Sequence, residues 1–341
     1  MNELICLLTT VGATMTMTCN PKPAPTPIPT VTVVASPLPG PTVTVTATPV
    51  CPACPSPTPS PAPFVRAMWV SDYGATAIAA AKGSATRTTF FANLAAKQIN
   101  RVFIESSAHL KGNRAQLSNF VSDAKAHGVE TEFLINGPVA NNTIATAFDK
   151  AVEYAGYTKT YQATYCSTGK EDTCAVAYQI DLEPHLYPEW SNLTSAMASY
   201  VAGITRTKAA LGATKFSADV TNWYDQPAYS VGGVTFSRRI FDAGLDRMVL
   251  MNYTDSFSQM QARAAGEVAI ACPLGKEVIS GSDAINEGSS AASQALTFFE
   301  EGWNGATGMS AGWAGLKTYF AGSPCFKGVA GFDYGPMTVL K

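Results

Sequence analysis

The sequence predicts an α/β protein, a closed (β/α)8 barrel behind a disordered Pro/Thr-rich stalk, and three observations carry that expectation. Short β-type apolar runs alternate with helical patterns through the chain from Phe64 onward, and eight strands alternating with helices imply a parallel sheet. No Gly-rich phosphate loop follows the first run, which favours a closed barrel over a doubly wound sheet. Residues 64–341 form one folding unit, close to the ~250 residues usual for such a barrel.

Taken in order, residues 1–18 hold a short apolar run, Leu4 to Leu8, then small residues and Thr. They resemble an atypical signal peptide without a basic start, since Glu3 is acidic and Lys22 is the first basic residue. Residues 19–63 are dominated by Pro, Thr, Val and Ser and cannot bury enough apolar surface to offset chain entropy, so they read as a disordered, extended spacer suited to O-linked sugars. The strands expected after it are Arg66–Ser71, Arg101–Ser106, Val129–Ile135, Val176–Glu183, Lys215–Val220, Met248–Tyr253, Glu277–Ser280 and Gly328–Tyr334. Helical spacing marks Arg87–Lys97, Arg114–His127, Ser195–Leu211 and Ala291–Trp303, with Gly128 as a helix stop.

Charged residues make up 14% of the chain, the formal net charge is −2, and no run of Lys or Arg occurs, which argues against a nucleic-acid partner. No stretch after the leader reaches the ~18 apolar residues of a membrane span. Among eight cysteines, Cys166 with Cys174 and Cys272 with Cys325 are plausible disulfides, implying an oxidising compartment. Cys51 and Cys54 read as a local disulfide or tether rather than a metal site. Asn-x-Ser/Thr triplets stand at Asn141, Asn192 and Asn252, the last in an apolar strand where modification is not expected. The chain is therefore expected to be a secreted, extracellular glycoprotein, associated with a cell wall, and a monomer. No cofactor and no metal is implied, because His109, His127 and His185 lack paired metal-ligand spacing.

In a barrel the working residues sit at the C-terminal ends of the strands. Along Ala177 to Glu183, side chains alternate faces, so Gln179, Asp181 and Glu183 share one side. Two acids at neighbouring inward positions repel, which raises the pKa of one until it holds a proton near neutrality. Glu183 is the expected proton donor to a glycosidic oxygen, with Asp181 as its partner. Polar and aromatic residues at the other strand ends, Trp69, Asp72, Glu105, Asp219, Asn222, Trp223, Asp255, Asp333 and Tyr334, are expected to bind substrate, the aromatics by stacking on apolar sugar faces.

Asp181-Leu182-Glu183 closing the fourth strand, with Met251-Asn252-Tyr253-Thr254-Asp255 at the sixth, resembles glycoside hydrolase family 18, the chitinase-like barrels. The resemblance implies a (β/α)8 fold and a catalytic set of Glu183, Asp181 and Tyr253. Val176 and Gln179 stand where that family has its two upstream Asp residues, Thr254 separates Tyr253 from Asp255, and the eighth strand ends Phe332-Asp333-Tyr334 without the family's Trp. Gln179 in that place bears on the substrate-assisted route, in which an acetamido group acts as nucleophile. The expected function is cleavage of a polysaccharide or oligosaccharide by carboxylate acid/base chemistry. The alternative is a catalytically inactive barrel that binds glycans with the same rim.

Overall fold

The computed structural model describes residues 4–11, 14–21, 31–33, 64–137, 143–166, 169–288 and 290–340. The chain separates into two units, Met1–Pro61 and Ala62–Lys341. In the first, strands Leu4–Val11, Thr14–Pro21 and Val31–Val33 form a three-stranded antiparallel sheet. Of the stretch 19–63, expected as a disordered spacer, residues 19–21 and 31–33 belong to these strands, and 22–30 and 34–63 lie outside the described residues.

The second unit is a closed barrel of eight parallel strands, as the alternation predicts. They are β1 (Val65–Val70), β2 (Arg101–Glu105), β3 (Glu130–Asn136), β4 (Ala177–Asp181), β5 (Phe216–Thr221), β6 (Arg247–Met251), β7 (Glu277–Asp283) and β8 (Phe326–Phe332). Each pairs in parallel with the next, and β8 closes on β1 with Gly328 opposite Val65 and Ala330 opposite Ala67. Outside run α1 (Ala85–Ala96), α2 (Arg114–Ala126), α3 (Ile144–Tyr165), α4 (Leu193–Leu211), α5 (Phe236–Asp242), α6 (Phe257–Ala271), α7 (Met309–Tyr319) and α8 (Tyr334–Val339).

Local chemistry explains where these helices begin. Ser84, Asn113, Thr143, Asn192 and Thr235 each accept a hydrogen bond from the third amide of the helix they precede, meeting donors that have no intrahelical partner. After α2 the chain turns at Gly128, whose φ of 73° suits a residue without Cβ.

Strand alternation divides the core in two. Outward faces such as Val102, Ile104, Phe133 and Tyr178 pack under the helices. Inward faces fill the lumen with Val65, Ala67, Trp69, Phe103, Leu134, Val249, Ile279 and Ala330. Below this plug, at the N-terminal end, fully buried Glu132 meets Arg101 and Arg247, and Arg247 reaches on to Glu277 at 2.8 Å.

The helix expected over Ala291–Trp303 is corrected: only Ala291–Gln294 is helical, and α7 begins at Met309. The intervening segment instead lies over the barrel wall, with Phe298 and Trp303 buried and the Phe298 amide donating to the Asp283 carbonyl at 2.9 Å. Trp303 packs edge-on against Trp313, with ring centroids 5.3 Å apart.

Both anticipated disulfides, Cys166–Cys174 and Cys272–Cys325, are present. Asn252 is fully buried, donating to the Met260 carbonyl and to Ser280, so a sugar on it has no room. Asn141 falls outside the described residues. Among the described residues no helix is long and apolar enough to cross a membrane.

Candidate active site

The site begins with the pleat of β4. Asn136 of β3 stands opposite Asp181, and Leu134 opposite Gln179, so the polar face of β4 turns into the lumen beside its neighbours. The strand ends at Asp181, but the backbone stays extended through Glu183 (φ −99°, ψ 95°) before Pro184 opens a short 3-10 turn. Glu183 thereby keeps the inward side of the alternation while standing one step nearer the mouth.

A third carboxylate joins from β5. Asp219, 2% exposed, accepts from Gln179 Nε2 at 2.7 Å and from Trp69 Nε1 at 3.2 Å. Trp69 is itself buried edge-on against Phe103 and Phe332, so it forms the floor under the acids rather than an open stacking surface. Tyr253 lies over Phe332, with ring centroids 6.1 Å apart and planes 23° apart.

These groups share one electrostatic problem: several acids stand where water is scarce. Burial pushes the Asp181 carboxyl up to about 6, and burial together with the Asp181 charge pushes Glu183 up to about 7. Asp219 is raised well above the carboxylate range by burial and then by Asp181, although the Gln179 and Trp69 hydrogen bonds pull the other way. The Tyr253 phenol is held protonated by burial and by the charges of Asp219, Asp283, Asp181 and Glu183 around it. Asp283, on β7, is also pushed up to about 7 by burial.

No Lys or Arg pairs with Glu183 among the described residues; its ion-pair-distance neighbour is His185, with Nε2 at 3.4 Å from Oε2. Burial lowers the His185 pKa, which disfavours a charged ring beside the acid. Its Nδ1 lies 3.4 Å from the Tyr224 hydroxyl. His185 is not among the catalytic or substrate-binding residues that the sequence singles out. The signal available was its place two residues after Glu183, across a proline that reverses the chain.

The other expected site residues fall in two places. Asn222 and Trp223 line a cleft of about 640 Å³ that adjoins the acids through Tyr253, and Asp225, Gln226, Met251 and Arg263 line it as well. Trp223 packs edge-on against His185 at 5.5 Å, tying the cleft wall to the Glu183 neighbourhood. On the β1, β2 and β8 side the polar residues hold loops. Asp333 accepts from the Ser71 and Tyr334 amides, Glu105 from the Ser107 amide, and the Tyr334 hydroxyl from Asn93. Tyr334 stacks on Tyr73 at 4.8 Å and is buried. Asp72 is exposed, and Asp255 lies half-buried in the loop after β6, its amide donating to Ala295.

Among the described residues no group of three or more His, Cys, Asp or Glu is placed to hold a metal ion. The arrangement offers proton transfer: a carboxyl near the mouth raised to about 7, a second raised to about 6, a buried third, and a phenol that holds its proton.

No family model matches the sequence, and no curated protein matches it. Solved structures do match in architecture. The spore cortex-lytic enzyme SleL of Bacillus megaterium is 14% identical with a TM-score of 0.46, covering 83% of this chain and 74% of that one. A GH113 β-1,4-mannanase is 12% identical with a TM-score of 0.48, covering 82% and 89%. A chitinase from Chromobacterium violaceum is 12% identical with a TM-score of 0.47, covering 81% and 97%. Such likeness is one of barrel architecture.

Proposed function

We propose that the protein is a secreted glycoside hydrolase that cleaves a polysaccharide, with Glu183 as proton donor and Asp181 as its partner. The observation that carries the reading is the Glu183 carboxyl, kept protonated to about 7 by burial and the Asp181 charge while its side chain remains 26% exposed. A general acid works best with a pKa near the working pH and a path to the substrate. Glu183 would give its proton to the glycosidic oxygen as the bond to the anomeric carbon breaks. Asp181 would face the positive charge that builds on the ring. Water then adds to the anomeric carbon, and the proton it loses restores the carboxyl pair. The Tyr253 hydroxyl would donate to a substrate oxygen beside them. The two disulfides support an oxidising, extracellular setting.

The test is reducing-sugar release from a panel of cell-wall polysaccharides by the full chain and by Glu183→Gln. We expect release by the parent and a loss of about 100-fold or more in the variant, in line with the usual contribution of a general acid. Binding by both without release by either would instead make the barrel a glycan-binding protein.

A further inference from the structure

The segments that follow β4, β5, β6 and β7, residues 182–192, 222–235, 252–256 and 284–308, contain seven acidic residues and no Lys or Arg. An acidic rim alone selects nothing, but two further observations point to what fills it. The first is a set of buried acceptors with no donor. Gln179, fully buried, leaves Oε1 unpartnered after spending its amide on Asp219; Asp181 Oδ1 and Asn136 Oδ1, opposite each other across β3 and β4, are also unpartnered. An acceptor sealed from water without a partner is costly, so the site is built for a ligand rich in donors.

The second lies in the adjoining cleft. Glu267 of α6 is fully buried, and its carboxylate oxygens meet no side-chain donor, only the backbone amides of Asp225 and of Glu267 itself. Its electrostatic neighbour is Asp225, which lines the cleft. The Asp225 carboxylate lies against the α6 backbone at Gly266, where a Cβ would overlap its Oδ2. Burial raises the pKa of both acids, and the Asp225 charge raises Glu267 further. Arg263, the one cation lining the cleft among the described residues, is engaged by the Tyr253 carbonyl at 2.9 Å and by Gln259 at 3.0 Å.

We propose that the glycan bound here carries free amino groups, a polymer of 2-amino-2-deoxy sugars, with one ammonium on Asp181 in the mouth and another on Asp225 in the cleft. The proposal rests on the reading of the mouth as a glycan site. An ammonium brings three donors and a positive charge, which answers both the empty acceptors and the crowded carboxyls. A neutral sugar would answer only the acceptors, and an acidic one would be repelled. Asp181 and Asp225, both raised by burial in the free protein, would release the protons they hold when the ammonium arrives.

Calorimetry on the full-length Glu183→Gln variant tests this with glucosamine and galactosamine tetramers, their N-acetylated forms, and xylan, mannan and polygalacturonate oligomers. We expect an amino tetramer to bind at least tenfold more tightly than its acetylated form. Its binding should weaken with added salt and release protons when buffers of different ionisation heat are compared. Adding Asp225→Asn should weaken the amino tetramer about tenfold and leave the acetylated one nearly unchanged. Equal or tighter binding of acetylated, neutral or acidic oligomers overturns the proposal. Parent cleavage of a neutral or acidic polymer also overturns it while leaving the hydrolase reading intact. Amino-tetramer binding without cleavage of any polymer by the parent upholds the ligand class and removes the hydrolase reading.

Discussion

Glu183 and Asp181 titrate at neighbouring pH, because both are starved of water and the Asp181 charge raises Glu183 further. Activity against pH should therefore be bell-shaped, with an acidic limb near 6 and a basic limb near 7. Replacing Asp181 with Asn removes a like charge from beside Glu183, so the basic limb should move to lower pH as the rate falls. A profile of kcat/KM from about pH 4 to 9 for both proteins reads this directly. Stability responds to the same protons. Glu183 holds its proton to about 7 in the folded chain, against 4.5 as its ordinary value, so between those values the folded state binds a proton that the unfolded state has released. Stability contributed by this group is thus present below about 4.5 and lost as pH rises through about 7. Glu183→Gln escapes the loss, and its stability advantage over the parent should grow to on the order of 1–3 kcal/mol by about pH 8, measured by denaturant unfolding.

At the scale of elements, α3 and α4 pack closely because Gly203 on α4 faces the Phe148 ring on α3. A Cβ at that position would run into the ring, and Phe148 is fully buried with no room to withdraw. Gly203→Ala should therefore lower stability by about 1–3 kcal/mol, as overpacking does, visible as a lower melting temperature with an unchanged pH profile of activity. The elements themselves were legible to differing degrees. β4 was legible because alternation of polar and apolar side chains is a local property, and it carried Gln179, Asp181 and Glu183 to one face. The segment from Ala291 to Trp303 was not, because Phe298 and Trp303 are buried by tertiary contacts outside any helix.

The molecule as a whole is closed from below by charge. Glu132 on β3 receives Arg101 from β2, Arg247 from β6 and the Ser217 hydroxyl from β5, and Arg247 and Lys215 continue to Glu277 on β7. With Glu132 fully buried and Arg247 at 3% exposure, removing one carboxylate leaves guanidinium groups short of a counter-charge inside the barrel. Glu132→Gln should cost about 3–5 kcal/mol of folding stability. A denaturation midpoint that moves only slightly would mean that Glu130 and Glu277 suffice.

By itself the sequence determined the alternation, hence the parallel barrel, and the carboxylates at the end of the fourth strand, and it made the two disulfides plausible without fixing their pairing. The alternation, the carboxylates and the Cys166–Cys174 pair rest on patterns that repeat or lie near one another along the chain, whereas Cys272 and Cys325 stand 53 positions apart. It singled out Trp69 and Asp219 as strand-end residues but not their relation, for they are 150 positions apart and meet only because β1 and β5 face each other across a closed lumen. It noted Gln179 as an interruption of a family pattern, yet only the fold shows that this amide is spent on Asp219. How far each carboxyl is raised was likewise a tertiary outcome, since it depends on how much water each retains and on which charges stand nearby, and both are set by closure of the barrel.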